Sequence, residues 1–401
     1  MSEAQALKKD VRAVTGNAAV AYAMKQINPD VVAAYPITPQ TTVMEEFSNY
    51  VANGAVTTEL VRVESEHSAM SASIGSAAAG ARTMTSTSSQ GLALMWEELY
   101  IAAGLRLPIV MINVNRALSA PINIHCDHSD SMGARDAGWI QLFCENAQEA
   151  YDTTIMAVKL AEDRRVLLPV MVLYDGFTIS HAIDRVEFLP DEAVQQFIGP
   201  FDPAYTLLDR ENPMTVGAFD SLGGWYYEFK KVQTDAINTS LSVMNEIFDE
   251  FERLSGRRYA PVETEQVDDA DIVFVIAGSM AGSVRERVAA YRDAGMKVGL
   301  VKVRSFRPFP HELYADALKN AKAVLVYDRS VTPGAQCGPL ALEVRSALYG
   351  RSSAPVLDII YGLGGRDLEL DEIDASLEYA QRAMAGERIV EPVWISLKDP
   401  Q

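Results

Sequence analysis

The 401-residue chain is 48% apolar and 22% charged, enough to bury two cores, and no apolar run reaches the roughly 18 residues that a membrane helix requires. A formal net charge of −19 excludes nucleic acid and anionic lipid surfaces, which need a basic footprint, and leaves another protein as the expected partner. The three cysteines, Cys126, Cys144 and Cys337, form no CxxC pair and cannot supply four thiolates for an iron–sulfur cluster, so any such centre must lie on another chain.

Residues 1–10 are polar and lysine-bearing with no apolar stretch behind them, which predicts neither a secretory signal nor a membrane anchor and makes the cytoplasm the expected compartment. Short β-branched runs then alternate with small-residue or amphipathic stretches, the pattern of βαβ units on a mostly parallel sheet. Strands are predicted over 31–35, 60–63, 82–87, 108–114 and 168–173, with helices over 42–51, 66–80, 91–103 and 146–161. From 181 to about 262 the alternation lapses into a connector rich in proline and aromatic residues, with an amphipathic helix over 230–254. It resumes with strands over 272–276, 298–303, 323–327 and 356–360, a second and smaller α/β domain. The expected division is 1–258 and 259–401.

Ligands of such sheets bind at the carboxyl ends of the strands, so polar residues there carry the functional question. In Tyr35-Pro36-Ile37-Thr38-Pro39-Gln40, Thr38 suits a helix N-cap and Pro39 the first helical position; Thr38 also suits a hydroxyl pointing into the crevice. Glu66 follows a strand and opens a helix made almost wholly of Ala, Ser and Gly. It reads either as a helix-dipole complement or as a carboxylate buried at a close interface, needing a specific partner. Residues 85–91 lack the lysine and glycine spacing of a P-loop, and helix capping explains them better. Arg116 ends another strand and reads as a salt-bridge residue or as a bidentate carboxylate anchor. The run His125-Cys126-Asp127-His128-Ser129-Asp130 matches no zinc spacing and reads as a polar loop beside substrate, with no metal ligand assigned. Gly278-Ser279-Met280-Ala281-Gly282 is too short for a dinucleotide fingerprint and reads as a tight strand-to-helix turn.

Taken in order, 35–40, Glu66, 85–91, Asn115-Arg116 with the following His-Asp loop, 135–143, 167–181, 212–215 and 304–310 resemble the alpha subunit of pyruvate:ferredoxin oxidoreductases over nearly the whole chain. The resemblance implies a thiamine-diphosphate-binding fold, with a pyrimidine-binding domain followed by a transketolase C-terminal-like α/β domain. It implies thiamine diphosphate shared with a beta subunit, which holds Mg²⁺ and the diphosphate through a Gly-Asp-Gly motif. That motif is absent here, where Tyr174 precedes Asp175-Gly176. Carried over by position, Glu66 pairs with the pyrimidine ring nitrogen, with Tyr35 and Pro36 beside the cofactor, while Thr38 and Arg116 bind the 2-oxoacid carboxylate. Coenzyme A is the implied co-substrate, [4Fe-4S] clusters lie on partner subunits, and ferredoxin accepts the electrons. Because the chain stops at Gln401, separate beta, gamma and delta-type subunits are expected. Pyruvate is favoured over 2-oxoglutarate, a branched-chain 2-oxoacid or oxalate, because the connector and residues 135–143 look most like the pyruvate branch. The competing class is a non-catalytic assembly subunit, against which Glu66, Thr38 and Arg116 stand together.

Overall fold

The computed structural model describes residues 10–217 and 219–398. Residues 1–9, which bear most of the reading made for the N-terminus, lie outside it. In chain order the first region runs β1 (Asp10–Thr15), α1 (Gly16–Ile27), β2 (Val31–Ala34), α2 (Thr41–Ala52), β3 (Glu59–Arg62), α3 (Glu66–Ala78), β4 (Thr83–Thr87), α4 (Ser89–Leu94), α5 (Trp96–Gly104), β5 (Val110–Asn115) and α6 (Ser129–Gly133). It continues through β6 (Ile140–Phe143), α7 (Ala147–Glu162), β7 (Val170–Asp175), β8 (Ile183–Phe188), α8 (Asp191–Ile198) and α9 (Tyr226–Ser255).

Every strand predicted in this region is present, shifted by no more than two residues, because β4, β5 and β7 are buried along their whole length and their runs of apolar and β-branched residues say so. Helix starts are written in cap residues: Thr15, Ser65 and Asn146 each accept a backbone N–H at the mouths of α1, α3 and α7, a cap worth about 1 kcal/mol. Three expectations change. The helix expected over 91–103 is broken at Met95, whose backbone leaves the helical region at φ −80°, ψ 1°. The connector also holds structure of its own, for β8 pairs antiparallel with β1 and α8 packs against α1 and α7. The predicted helix at 230–254 begins four residues earlier, at Tyr226. It buries Ala236, Ser240, Val243, Met244, Ile247 and Phe251 along one stripe against α7.

The second region follows as β9 (Val262–Glu265), β10 (Ile272–Ala277), α10 (Ala281–Asp293), β11 (Val298–Val303), β12 (Ser305–Arg307), α11 (His311–Leu318), β13 (Ala323–Asp328), α12 (Pro339–Leu348), β14 (Val356–Ile360), a 3-10 turn at Leu363–Gly365, α13 (Leu370–Met384) and β15 (Val393–Trp394). Two main sheets result: a seven-stranded one in the order β12-β6-β7-β5-β4-β2-β3 and a six-stranded one in the order β15-β14-β13-β10-β11-β9. Both are parallel except at edge strands, β12 against β6 and β9 against β11. The three residues of β12 belong by sequence to the second region and by pairing to the first sheet. The sheets also share a core, in which Trp139, Phe143 and Met171 pack with Val273, Val301, Phe306 and Phe309. Among the described residues, no helix is long and apolar enough to cross a membrane.

Candidate active site

The carboxyl ends of the adjacent strands β3, β2, β4 and β5 form one edge of the first sheet, and the segments leaving them carry Glu66, the turn at 35–40, residues 88–91 and Arg116. Thr38 is not an N-cap. The Gln40 and Thr41 amides both bond to the Ile37 carbonyl, at 2.8 and 3.1 Å, so a tight turn precedes the helix and α2 starts only at Thr41. Gln40 braces this turn, accepting from the Ile37 amide at 3.2 Å and donating to Ser86 Oγ. Asn17 on α1 braces it from below: its Nδ2 donates to the Pro39 carbonyl at 2.8 Å and to Thr42 Oγ1 at 2.7 Å, and Tyr174 donates to its Oδ1 at 2.8 Å. Thr38 is left exposed, its hydroxyl without a hydrogen bond among the described residues, and Tyr35 and Pro36 are exposed as well.

Arg116 meets that turn directly. Its Nη1 donates to the Thr38 carbonyl at 2.9 Å and its Nε to the Asn123 carbonyl at 3.1 Å, while Nη2 bonds to nothing among the described residues. The side chain is buried, and burial pulls its pKa below the ordinary arginine value against the opposing charge of Asp130. Asp130 is the hub of the edge. It accepts from Asn115 Nδ2 (2.8 Å), Asn113 Nδ2 (3.2 Å), and the amides of Ser89 (3.0 Å), Arg116 (3.1 Å) and Ser131 (2.7 Å). Burial pushes its carboxyl up; the five donors work against that shift. One carboxylate thus locks the ends of β4 and β5 to α6, so Ser89 offers its amide to Asp130 and not to a phosphate. The capping expected for residues 85–91 is also not what their hydroxyls do: Ser88 Oγ donates to the Val114 carbonyl and Ser89 Oγ to that of Ala117, both at 2.6 Å.

Glu66 occupies the first turn of α3, is only 7% exposed, and forms no hydrogen bond or ion pair among the described residues. A carboxylate that loses its water without gaining a partner is costly, so a ligand closing over this edge would have to offer Glu66 a donor. Thr87 Oγ1 is likewise buried and without a partner. Both line the space above Gly91, where a Cβ would stand 2.7 Å from Glu66 Oε1 and 2.4 Å from Thr87 Oγ1. A glycine, a free carboxylate and a free hydroxyl fit the edge of a flat heterocycle with ring nitrogens, such as an aminopyrimidine.

The polar loop at 125–130 divides. His128 turns inward and its Nε2 lies 2.8 Å from Asp175 Oδ1. Asp175, at the end of β7, also takes Arg329 Nη1 at 2.8 Å and the Ser279 amide and hydroxyl at 2.9 and 2.6 Å. Burial alone would raise the Asp175 carboxyl, but His128 and Arg329 outweigh it and hold the group far below the usual carboxylate range. Cys126, His128 and Asp175 bring a thiol, an imidazole and a carboxylate within 4.8 Å of one another. The carboxylate there is already engaged by the Arg329 guanidinium, which would repel a second cation. Ser279 and Arg329 come from the second region, so this buried cluster joins the two. The turn at 278–282 is the tight strand-to-helix connection its sequence predicts, with Asp175 docked on it.

Comparison with known proteins gives the family of the chain. A family model described as pyruvate flavodoxin/ferredoxin oxidoreductase, thiamine diphosphate-binding, matches residues 22–249, and one described as pyruvate:ferredoxin oxidoreductase core domain II matches residues 270–373. The fold is thus that of the thiamine-diphosphate-binding class, as the sequence implied. Within that class, the chain belongs to the pyruvate flavodoxin/ferredoxin oxidoreductase family. It is 54% identical to pyruvate synthase subunit PorA of Thermotoga maritima over 92% of this chain and 94% of that one. It is 43% identical to ketoisovalerate oxidoreductase subunit VorA of Pyrococcus horikoshii over 96% and 98%. Among solved structures, the 2-oxoglutarate:ferredoxin oxidoreductase from Magnetococcus marinus superposes with a TM-score of 0.71 at 23% identity, covering 93% of this chain but 65% of that one. A split-gene transketolase follows at a TM-score of 0.54 and 12% identity, covering 94% of this chain and all of the other.

Proposed function

We propose that the chain is the alpha-type subunit of a heteromeric 2-oxoacid:ferredoxin oxidoreductase that converts pyruvate and coenzyme A to acetyl-CoA and carbon dioxide, and that it supplies the pyrimidine side of the cofactor site. The observation that carries the reading is Glu66: a buried, partnerless carboxylate at the ligand-binding edge of a chain whose relatives are pyruvate synthase subunits. When bound, thiamine diphosphate supplies the nucleophilic carbon and the electron sink for decarboxylation. Glu66 holds a proton against the pyrimidine nitrogen, which makes it a general acid/base at that atom. Arg116 Nη2 and the Thr38 hydroxyl, both uncommitted and joined through the Thr38 carbonyl, bind and orient the 2-oxoacid carboxylate. Tyr35 and Pro36 flank the cofactor at the rim.

Beta, gamma and delta-type subunits complete the enzyme in the cytoplasm, bringing Mg²⁺, the diphosphate anchor and [4Fe-4S] clusters, with ferredoxin as acceptor. Support comes from two sides. Cys126, Cys144 and Cys337 are buried in three separate connecting segments, and Leu208, Phe219, Leu222, Trp225 and Tyr227 form an exposed apolar segment that a lone chain leaves in water. The two domains are divided at 258/259, a reading supported by the gap between the matched family regions, 22–249 and 270–373. The VorA relatives favour a second reading in which a branched-chain 2-oxoacid is the better substrate. A turnover assay of the assembled native complex with pyruvate, 2-oxoisovalerate and 2-oxoglutarate, coenzyme A and a viologen acceptor separates the two. We expect the highest kcat/KM for pyruvate; a higher value for 2-oxoisovalerate would replace pyruvate as substrate, and no turnover of any would leave the assembly role.

A further inference from the structure

Arg116 is not held by the first domain alone. Its Nε donates to the carbonyl of Asn123 in the loop joining β5 to α6, and that loop is open to water around Ile122 and Ile124, which are 76% and 42% exposed. The clamp on the loop comes from the second domain. Asn123 Nδ2 donates to the Gly364 carbonyl at 2.9 Å, and the Gly364 amide donates to Asp127 Oδ2 at 3.1 Å. Both ends of the exposed stretch are thereby pinned to one residue some 240 positions further along the chain. Asn123 Oδ1 in turn accepts from the His125 amide at 2.8 Å, and Asp127 Oδ1 from the Ser129 amide at 2.9 Å.

Only glycine allows this approach. Gly364 and Gly365 have φ of 61° and 79°, and a Cβ on them would stand 2.4 Å from Asn123 Nδ2 and 2.3 Å from His125 Cβ. We propose that the second domain is part of the 2-oxoacid site: its glycine turn at 362–365 sets the loop, and Asn123 is a positioning residue that aims the Arg116 guanidinium at the substrate carboxylate. The inference rests on the reading of Arg116 as that anchor. Freeing the loop removes a fixed acceptor from Nε and lets the fork leave its aim, so substrate affinity falls while the chemistry of bound substrate proceeds.

The test uses the assembled complex carrying Asn123→Ala, Asn123→Asp, Gly364→Ala, Arg116→Lys, or Asn123→Ala with Arg116→Lys. Asn123→Asp keeps size but cannot donate to the Gly364 carbonyl. We expect all three loop and turn variants to raise the KM for pyruvate by about 5- to 20-fold, with kcat within about 2-fold and the KM for coenzyme A unchanged. Asn123→Ala should add nothing once Arg116→Lys is present, because it acts through that side chain. Additive effects in the double variant, or a fall in kcat at unchanged KM, would overturn the inference while leaving Arg116 as the anchor. An Arg116→Lys complex with unaltered KM would overturn both. Should Gly364→Ala fail to assemble, the Asn123 variants decide.

Discussion

Glu66 carries the sharpest prediction at the scale of single residues. Glu66→Gln keeps the shape of the side chain and removes its capacity to trade a proton, so turnover in an intact complex should fall by about 10²–10⁴. Rapid-mixing or steady-state assays check this, with assembly verified by native mass spectrometry. Gly91→Ala should weaken thiamine diphosphate binding, since its Cβ crowds Glu66 and Thr87, whereas Gly104→Ala, with nothing within 4 Å, should not; calorimetric titration of the two complexes distinguishes them. The candidate site is legible in unequal parts. Glu66 stands out in sequence because an acid directly after a strand opens a helix of small residues, and Arg116 because it ends an apolar strand. Thr38 was misread locally, since the turn closed by Ile37 and Gln40 depends on Ser86 and Asn17, which are distant in sequence. Asn17 itself gives only a faint signal, one polar residue in an alanine-rich helix, and its partners are visible only in three dimensions.

Between elements, the most consequential contact joins α7 to β9 and to the C-terminal end of β11. Lys302 Nζ lies 2.5 Å from Glu149 and 2.7 Å from Glu263, and Arg304 Nη2 lies 2.8 Å from Glu149 and 2.6 Å from Glu263, with Glu149, Lys302 and Arg304 all buried. Burial alone would raise the Glu149 carboxyl, yet Arg304 and Lys302 pull it from 4.5 down to about 2. A folded value below the unfolded one means stability that is complete above pH 4.5 and lost as pH falls toward 2, and the gap corresponds to about 3 kcal/mol. Glu149→Gln should therefore lower stability at neutral pH by about 3–5 kcal/mol. Its deficit against the wild type should shrink on acidification through that window. Urea titrations at pH 7, 4.5 and 3 measure this, and a deficit that stays constant with pH would refute the linkage. Buried β-branched runs made the central strands legible, whereas β1 and β8 are partly exposed and β12 has only three residues, and their pairing is set by partners that local pattern does not reveal.

At the scale of the whole molecule, the chain should behave as half of a site. Expressed alone it should contain no iron, since three cysteines cannot supply the four thiolates of a cluster, and it should bind thiamine diphosphate poorly. Glu66 contributes one charged hydrogen bond of about 1.5–3 kcal/mol, against the roughly 8 kcal/mol that micromolar affinity demands. Iron analysis and titration with thiamine diphosphate and Mg²⁺, before and after adding the beta-type partner, test this; micromolar binding by the lone chain would refute it. The short strand β12 bears on how such an experiment is designed. It covers the free edge of β6, so a fragment ended at residue 258 would present an unpaired strand edge beside the bared faces of Trp139 and Phe143. Such a fragment is expected to aggregate, and a soluble preparation of the pyrimidine-binding half calls for a chain carried past Arg307 or for a substitute strand grafted onto that edge.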